Sequence, residues 1–308
     1  MPSSKLKTKP ASSQTEPQRQ CSFEAIGTQW WIGVYEHVAA KQWLQLQQKT
    51  ADCIETFDKR YSRFRDDSWV MQIAKQSGSY KLPPDAAPLL KLYDRLYQLT
   101  DGAVTPLIGQ ALEDAGYDAS YSLQPKPMRA VSAWHDACKI AGNTLTTGQP
   151  QLLDFGAAGK GYLVDQLVTL LRAGGIRSFC VDGSGDLYCV GVQLSVGLEN
   201  PDNTSQVIGV VPVGNAALCA SAPNRRSWTG YHHIMNPHTL SSPQHIKAVW
   251  VVADSAMVAD GLTTALFFVD PLKLQPAFDF AWAILSADGK LRRSPNFTAE
   301  LFIKEHHA

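Results

Sequence analysis

The sequence predicts an α+β fold. Four segments carry apolar residues at helical spacing, several shorter runs are apolar, β-branched and of strand length, and the two kinds alternate without a strict βαβ rhythm. At 308 residues the chain is long enough for a large core, as one domain or two interlocked ones.

Residues 1–20 are rich in Ser, Lys, Pro and Gln with no apolar stretch, so they are expected to be a disordered tail, leaving 21–308 as the folded domain. Phe23 to Glu36, containing IGTQWWIGVY, reads as one opening strand. Ala39 to Tyr61 reads as a helix through Trp43, Leu44, Leu46, Ala51, Ile54 and Phe57. Pro83-Pro84 makes a turn before a second helix, Ala86 to Leu99, which stops at Thr100-Asp101-Gly102. Residues 118–150 hold turn formers and read as short strands and loops.

A third helix is expected over 162–173, ending at Gly174-Gly175. Ser178 to Val190 reads as a buried strand broken by the turn Asp182-Gly-Ser-Gly-Asp186. Gln206 to Val213, Ala216 to Ala220 and Ala248 to Ala253 read as strands, with a loop over 222–245. Ser255 to Phe268 is an apolar helix with Asp254 or Ser255 as its cap, and Trp282 to Leu291 is a hairpin around Ala287-Asp288-Gly289.

Lys plus Arg equals Asp plus Glu at 28 each, so no charge excess favours a nucleic-acid partner. No stretch reaches the roughly 20 apolar residues that span a bilayer, so no membrane partner is expected. Six cysteines show no CxxC and no metal-ligand spacing. They read as free thiols in a reducing compartment, and the expected location is the cytoplasm.

The stretch Asp154 to Asp165, DFGAAGKGYLVD, is the most informative for chemistry. Gly156, Ala157, Ala158 and Gly159 let the backbone approach a ligand closely, Lys160 adds a positive charge, and a helix start follows. That suits a phosphate, and it equally suits a plain strand-to-helix turn. A Walker loop is excluded, because two residues rather than four separate Gly156 from Gly159 and Gly161 follows the lysine.

Asp260 and Thr264 lie four apart on one helical face, where a carboxylate and a hydroxyl suit a hard cation such as Mg²⁺. The alternative is a solvated carboxylate with Thr264 bonded back along the helix. Three histidines fall in Tyr231-His-His-Ile-Met-Asn-Pro-His238. Adjacent histidines on a strand point apart, so a zinc site is disfavoured and one general base, or ordinary surface imidazoles, is preferred. Tyr61-Ser-Arg-Phe-Arg65 reads either as a ring-stacking, phosphate-neutralising cluster or as an exposed helix end.

Together these pieces resemble the ApbE family, the FAD:protein FMN transferases. The resemblance runs through Ile26-Gly27-Thr28, YSRFRDDS (61–68), TDGAVTPLIG (100–109), DFGAAGKGYLVD (154–165), DGSGDL (182–187), HHIMNPHT (232–239), ADGLTTALF (259–267) and LSADGKLRRS (285–294). It implies the family's fold of two interlocked α/β subdomains. It further implies Mg²⁺-dependent transfer of FMN from FAD, the substrate, to a Thr or Ser hydroxyl of an acceptor protein, with release of AMP. Two alternatives stay open: FAD pyrophosphatase activity giving FMN and AMP, and a non-catalytic flavin-binding protein.

By the same resemblance, Asp260, Thr264 and the Gly159 carbonyl are the expected metal ligands, Lys160 lies beside the phosphates, and His233 is the base. Gly27, Thr28, Ser62, Phe64, Asp101, Gly102, Asp154, Asp182, Ser184, Asp186 and Ser221 are expected to frame the flavin site with Lys160 and His233. The chain departs from the family pattern at Thr105 and Asn236, each in place of Asp, at Leu240 in place of Gly, at Ala157, and at Ala220-Ser221-Ala222 in place of TSG.

Overall fold

The computed structural model describes residues 16–303. Of the expected tail, residues 1–15 lie outside the described residues, while Arg19 and Gln20 are already strand. The opening strand is in fact a hairpin of β1 (Arg19–Ala25) and β2 (Thr28–Val34), with Ala25 opposite Thr28. Ile26 and Gly27 both have positive φ, 44° and 72°, as the two-residue turn that matches strand twist requires. Only the glycine signalled that reversal; Ile26 is an unusual residue for it.

Helix α1 (Ala40–Tyr61) runs as expected and buries Leu46, Phe57 and Tyr61. Next come α2 (Trp69–Lys75), capped by Ser68, the short strand β3 (Gly78–Lys81), and α3 (Ala86–Leu99), whose bounds equal the expected ones. After α4 (Gly109–Asp114) and α5 (Trp134–Ala137), the hairpin β4 (Cys138–Ala141) and β5 (Thr144–Thr147) joins β3 in a three-stranded sheet.

Helix α6 (Gly159–Ala173) starts three residues before the expected 162, because packing favours the small residues that local propensity disfavours. It leads to β6 (Phe179–Asp182) and β7 (Asp186–Val190), paired across the expected turn. A long hairpin follows, β8 (Gln193–Asn200) and β9 (Asn203–Gly214), then β10 (Ala217–Ser221). Strand β8 had no assignment in the sequence reading, although Leu194, Val196 and Leu198 alternate inward along it. The loop 222–245 contains a small ribbon, β11 (Ser227–Trp228) with β12 (Tyr231–His232). The chain closes with β13 (Ile246–Ala253), α7 (Ala256–Ala265), α8 (Pro271–Leu274), β14 (Ala281–Ser286), β15 (Leu291–Arg293) and β16 (Glu300–Leu301).

The central sheet has eight antiparallel-paired strands in the order β1-β2-β6-β7-β10-β13-β14-β15. Strand β13 is apolar from Ala248 to Ala253 because both sheet faces are covered there. Val249 and Val251 join the core under α1, α3, α6 and α7, while Ala248 and Trp250 face the core closed by β8 and β9. The molecule is therefore helices, sheet and a smaller sheet in three layers.

Helices α6 and α7 cap each other. Asp260, on α7, accepts a hydrogen bond from Gly161 N in the first turn of α6 at 2.8 Å. Asp165, on α6, accepts from Ser255 Oγ, Ala256 N and Met257 N at the start of α7. Ser255 itself accepts from Val258 N, so it rather than Asp254 is the cap. Each carboxylate thus satisfies N–H groups that a helix start leaves free.

A Cβ at Gly161 would lie 2.1 Å from the Ala256 carbonyl oxygen and 2.8 Å from Asp260 Cβ. Backbone cannot yield there as a flexible side chain would. Gly161→Ala is expected to lower stability by about 1–3 kcal/mol, the usual cost of overpacking. A thermal melt showing an unchanged midpoint would contradict this close approach.

Candidate functional site

A cavity of about 400 Å³ opens beside the start of α6. It brings together Lys160, Asp260, Thr264 and His233, which are drawn from α6, α7 and the loop after β12. Of the residues expected to frame it, Gly27, Thr28, Phe64, Asp154, Ser184 and Ser221 also line it. Ser62, Asp101, Gly102, Gly159, Asp182 and Asp186 are not among the lining residues. Asp101 is exposed at the surface, where it pairs with Lys273 and its carbonyl meets His238 Nε2 at 2.9 Å. Ser62 accepts from Phe64 N, and Asp182 accepts from Gly185 N within its own turn.

Lys160 forms an ion pair with Asp186, whose other oxygen accepts from Ala220 N at 3.3 Å. Asp186 is fully buried, so its place is behind the lysine rather than in the cavity wall. Burial pulls the Lys160 pKa down and the Asp260 carboxylate opposes that shift. The ion pair with Asp186 likewise favours the charged ammonium, against the burial. Burial raises the pKa of Asp260, against the pull of Lys160 and the Gly161 N–H.

The three histidines separate cleanly. His232 is buried and structural, its Nε2 at 2.8 Å from the Pro243 carbonyl and its Nδ1 accepting from Ile234 N. His238 sits at the surface on Asp101. His233 faces the cavity, and its buried Nδ1 has no hydrogen-bond partner among the described residues. Burial, with Arg226 and His232 nearby, pushes its pKa down to about 3. The ring is therefore neutral at pH 7, with a lone pair free to take a proton.

The YSRFR cluster divides similarly. Phe64 lines the cavity and Arg65 points outward, tied to Glu55, Asp58 and Asp67. Arg63 is buried, bonded through Nε to Asp154 Oδ2 at 2.6 Å, and lies 4.1 Å from the Phe64 ring centroid and 4.9 Å from that of Tyr117. Asp154 Oδ1 accepts from Gly156 N at 2.7 Å. Arg63 thus braces both the small-residue turn and the aromatic wall from behind.

Three cavity features escaped the sequence reading. Tyr93, on α3, accepts from Ala157 N at 3.1 Å and so fixes the turn before α6. Trp250 lines the cavity with Leu187, Val196 and Leu218, although the period of β13 marks it only as core. Arg226 also faces the cavity, and the adjacent basic pair Arg225-Arg226 was its only signal.

All donors among Asp260, Thr264 and the Gly159 carbonyl are oxygens, the set a hard cation takes. Among the described residues no group of three His, Cys, Asp or Glu side chains could hold a metal by itself. The donor set fits Mg²⁺, which is commonly held by one or two carboxylates with the remaining positions left to water and substrate phosphate.

The profile of the ApbE family matches residues 26–279. The chain belongs to the ApbE family. It is 26% identical over 276 residues to the FAD:protein FMN transferase of Treponema pallidum (strain Nichols), covering 79% of this chain and 76% of that one. Its fold is that of the ApbE flavin transferases. The flavin transferase ApbE from Vibrio cholerae superposes with a TM-score of 0.76 at 21% identity, covering 91% of this chain and 99% of the other. The ApbE protein of Thermotoga maritima gives 0.79 at 21% identity, covering 91% and 97%.

The departures from the ApbE pattern keep local backbone duties. Thr105 Oγ1 accepts from Leu107 N, and Asn236 Oδ1 accepts from His238 N, jobs that a carboxylate would also do. Leu240 sits at φ 53°, where the family's glycine would be unstrained. Its side chain packs against the cluster containing Trp228 and Met235. Ala157 and Ala222 are accommodated in the cavity wall.

Proposed function

We propose that this protein is a Mg²⁺-dependent FAD:protein FMN transferase, moving FMN from FAD to a Thr or Ser hydroxyl of an acceptor protein and releasing AMP. The observation that carries this reading is the convergence of Lys160, Asp260, Thr264 and His233 on one cavity with an aromatic wall. The names of the relatives support the same reading. Six free cysteines are in keeping with a reducing, cytoplasmic setting. No helix among the described residues is long and apolar enough to cross a membrane.

In the reaction the acceptor oxygen bonds to the phosphorus of the FMN half, and the bond from that phosphorus to the AMP oxygen breaks. Neutral His233, which lines the cavity, takes the hydroxyl proton. Lys160 and the start of α6 place positive charge where the pyrophosphate lies. Phe64 and Tyr117 line the aromatic wall against which the isoalloxazine would lie. Asp260, Thr264 and the Gly159 carbonyl would hold Mg²⁺, which when bound neutralises charge on the pyrophosphate and on the leaving phosphate.

Incubation with FAD, Mg²⁺ and a Thr-containing acceptor is expected to yield a fluorescent, covalently flavinylated product and free AMP. AMP without any flavinylated product would show a hydrolase instead. Recovery of intact FAD with every acceptor would end the enzymatic reading.

The low proton affinity of His233 also predicts a pH profile. An ordinary histidine base would lose activity as pH falls through 6.5, whereas kcat/KM here is expected to stay flat well below 6.5, because the free protein keeps this ring neutral down to about pH 3. The same depression makes acid destabilising. The stability held above pH 6.5 is lost progressively as pH falls from 6.5 toward 3, since the unfolded chain takes up the proton first. A rate profile with its acid limb at 6.5, removed in His233→Ala, would contradict the buried environment.

A further inference from the structure

Arg226 is held firmly by its backbone and left free at its head. Its N donates to the Pro223 carbonyl at 3.0 Å, closing the 3₁₀ turn Pro223–Arg225, and its carbonyl accepts from His233 N at 3.2 Å. The ribbon it leads into is anchored by Trp228, which is buried, stacked on Tyr117 at 5.5 Å and bonded to the Ala115 carbonyl at 2.6 Å. A loop fixed in this way aims its side chain with little freedom.

The neighbouring cations all have partners. Arg225 is bound through two nitrogens to Glu199, Lys160 to Asp186, and Arg63 to Asp154. The guanidinium of Arg226 makes no hydrogen bond or ion pair with any described residue, yet it lines the same cavity as Lys160, His233 and Asp260. Its charge is felt by His233, Asp260 and Lys160, which places it among them rather than out in solvent. A planar donor with its hydrogens unspent matches the paired oxygens of a phosphate.

We propose that Arg226 is an anion-binding residue of this cavity, donating to phosphate oxygens of a dinucleotide pyrophosphate beside the proton-accepting His233. Where that dinucleotide is FAD, the proposal rests on the flavin-transferase reading. The anion site itself does not.

The test titrates wild type, Arg226→Met and Arg226→Lys with FAD, with ADP and with riboflavin, which has no phosphate, at saturating Mg²⁺. Arg226→Met is expected to weaken FAD and ADP binding by about ten- to a hundredfold, the worth of charge-assisted hydrogen bonds, with riboflavin affinity and melting midpoint unchanged. Arg226→Lys should recover part of the loss. Unchanged FAD and ADP affinities, or an equal fall for all three ligands, would overturn the assignment. Should wild type bind ADP but transfer no FMN, the transferase reading falls while the comparison of variants still decides the role of Arg226. A wild type that binds none of the three overturns both.

Discussion

Asp260→Asn is expected to reduce FMN transfer by a factor on the order of 10²–10³, the scale of losing one preorganised electrostatic group, while leaving the protein folded. The amide oxygen can still accept from Gly161 N, so the start of α6 keeps its cap. What disappears is the carboxylate that shares one face of α7 with Thr264 and lines the same cavity as Lys160. Mg²⁺ titration with ADP present, followed by calorimetry, should show the metal's contribution to binding lost in this variant. Asp260→Ala removes the cap as well, and its melting midpoint should fall below that of Asp260→Asn. Full activity in Asp260→Asn would exclude a charged role for this residue.

Asp154→Ala is expected to destabilise the protein by about 3–5 kcal/mol, because it strands the buried guanidinium of Arg63 without a counter-ion. The two terminal nitrogens of Arg63 are already buried without hydrogen-bond partners among the described residues, so no second carboxylate stands ready. The companion double variant Arg63→Met, Asp154→Leu should recover much of the loss, since it removes both charges together. Chemical denaturation of wild type, Arg63→Met, Asp154→Leu and the double completes a cycle whose coupling measures the pair. Losses of less than 1 kcal/mol would mean that solvent reaches this site.

Much of the fold was legible because its helices are amphipathic and their stops are explicit: Ala86–Leu99 ends at Thr100-Asp101-Gly102 as the sequence indicates. The β1–β2 reversal was not, since Ile26 occupies a left-handed turn position that local chemistry assigns to glycine or asparagine. Strand β8 was missed although it alternates, because its partner β9 and the sheet face above it supply the reason to form. At the site, Lys160, Asp260 and Thr264 announced themselves by residue type and spacing, while His233 was picked from three histidines only by the resemblance to the ApbE family. The role of Arg63 did not, because its partner Asp154 lies 91 residues away, and Asp186, expected in the flavin wall, instead backs Lys160 from 26 residues away, a contact only the folded chain supplies. Asp165 looked like one end of a phosphate turn and is instead the cap of another helix.

The crossed capping of α6 and α7 bears on how the molecule comes to exist. Each helix obtains its first-turn acceptor from a carboxylate about a hundred residues distant, 99 for Gly161 and Asp260 and 91 for Asp165 and Ala256. Ser255 caps α7 locally, but the Gly161, Ala256 and Met257 N–H groups wait for those distant carboxylates, so the two helices complete their ends in one long-range event. Protection of the Gly161 and Ala256 amides from hydrogen exchange should therefore arise together during refolding, and the candidate site is assembled only when the topology closes.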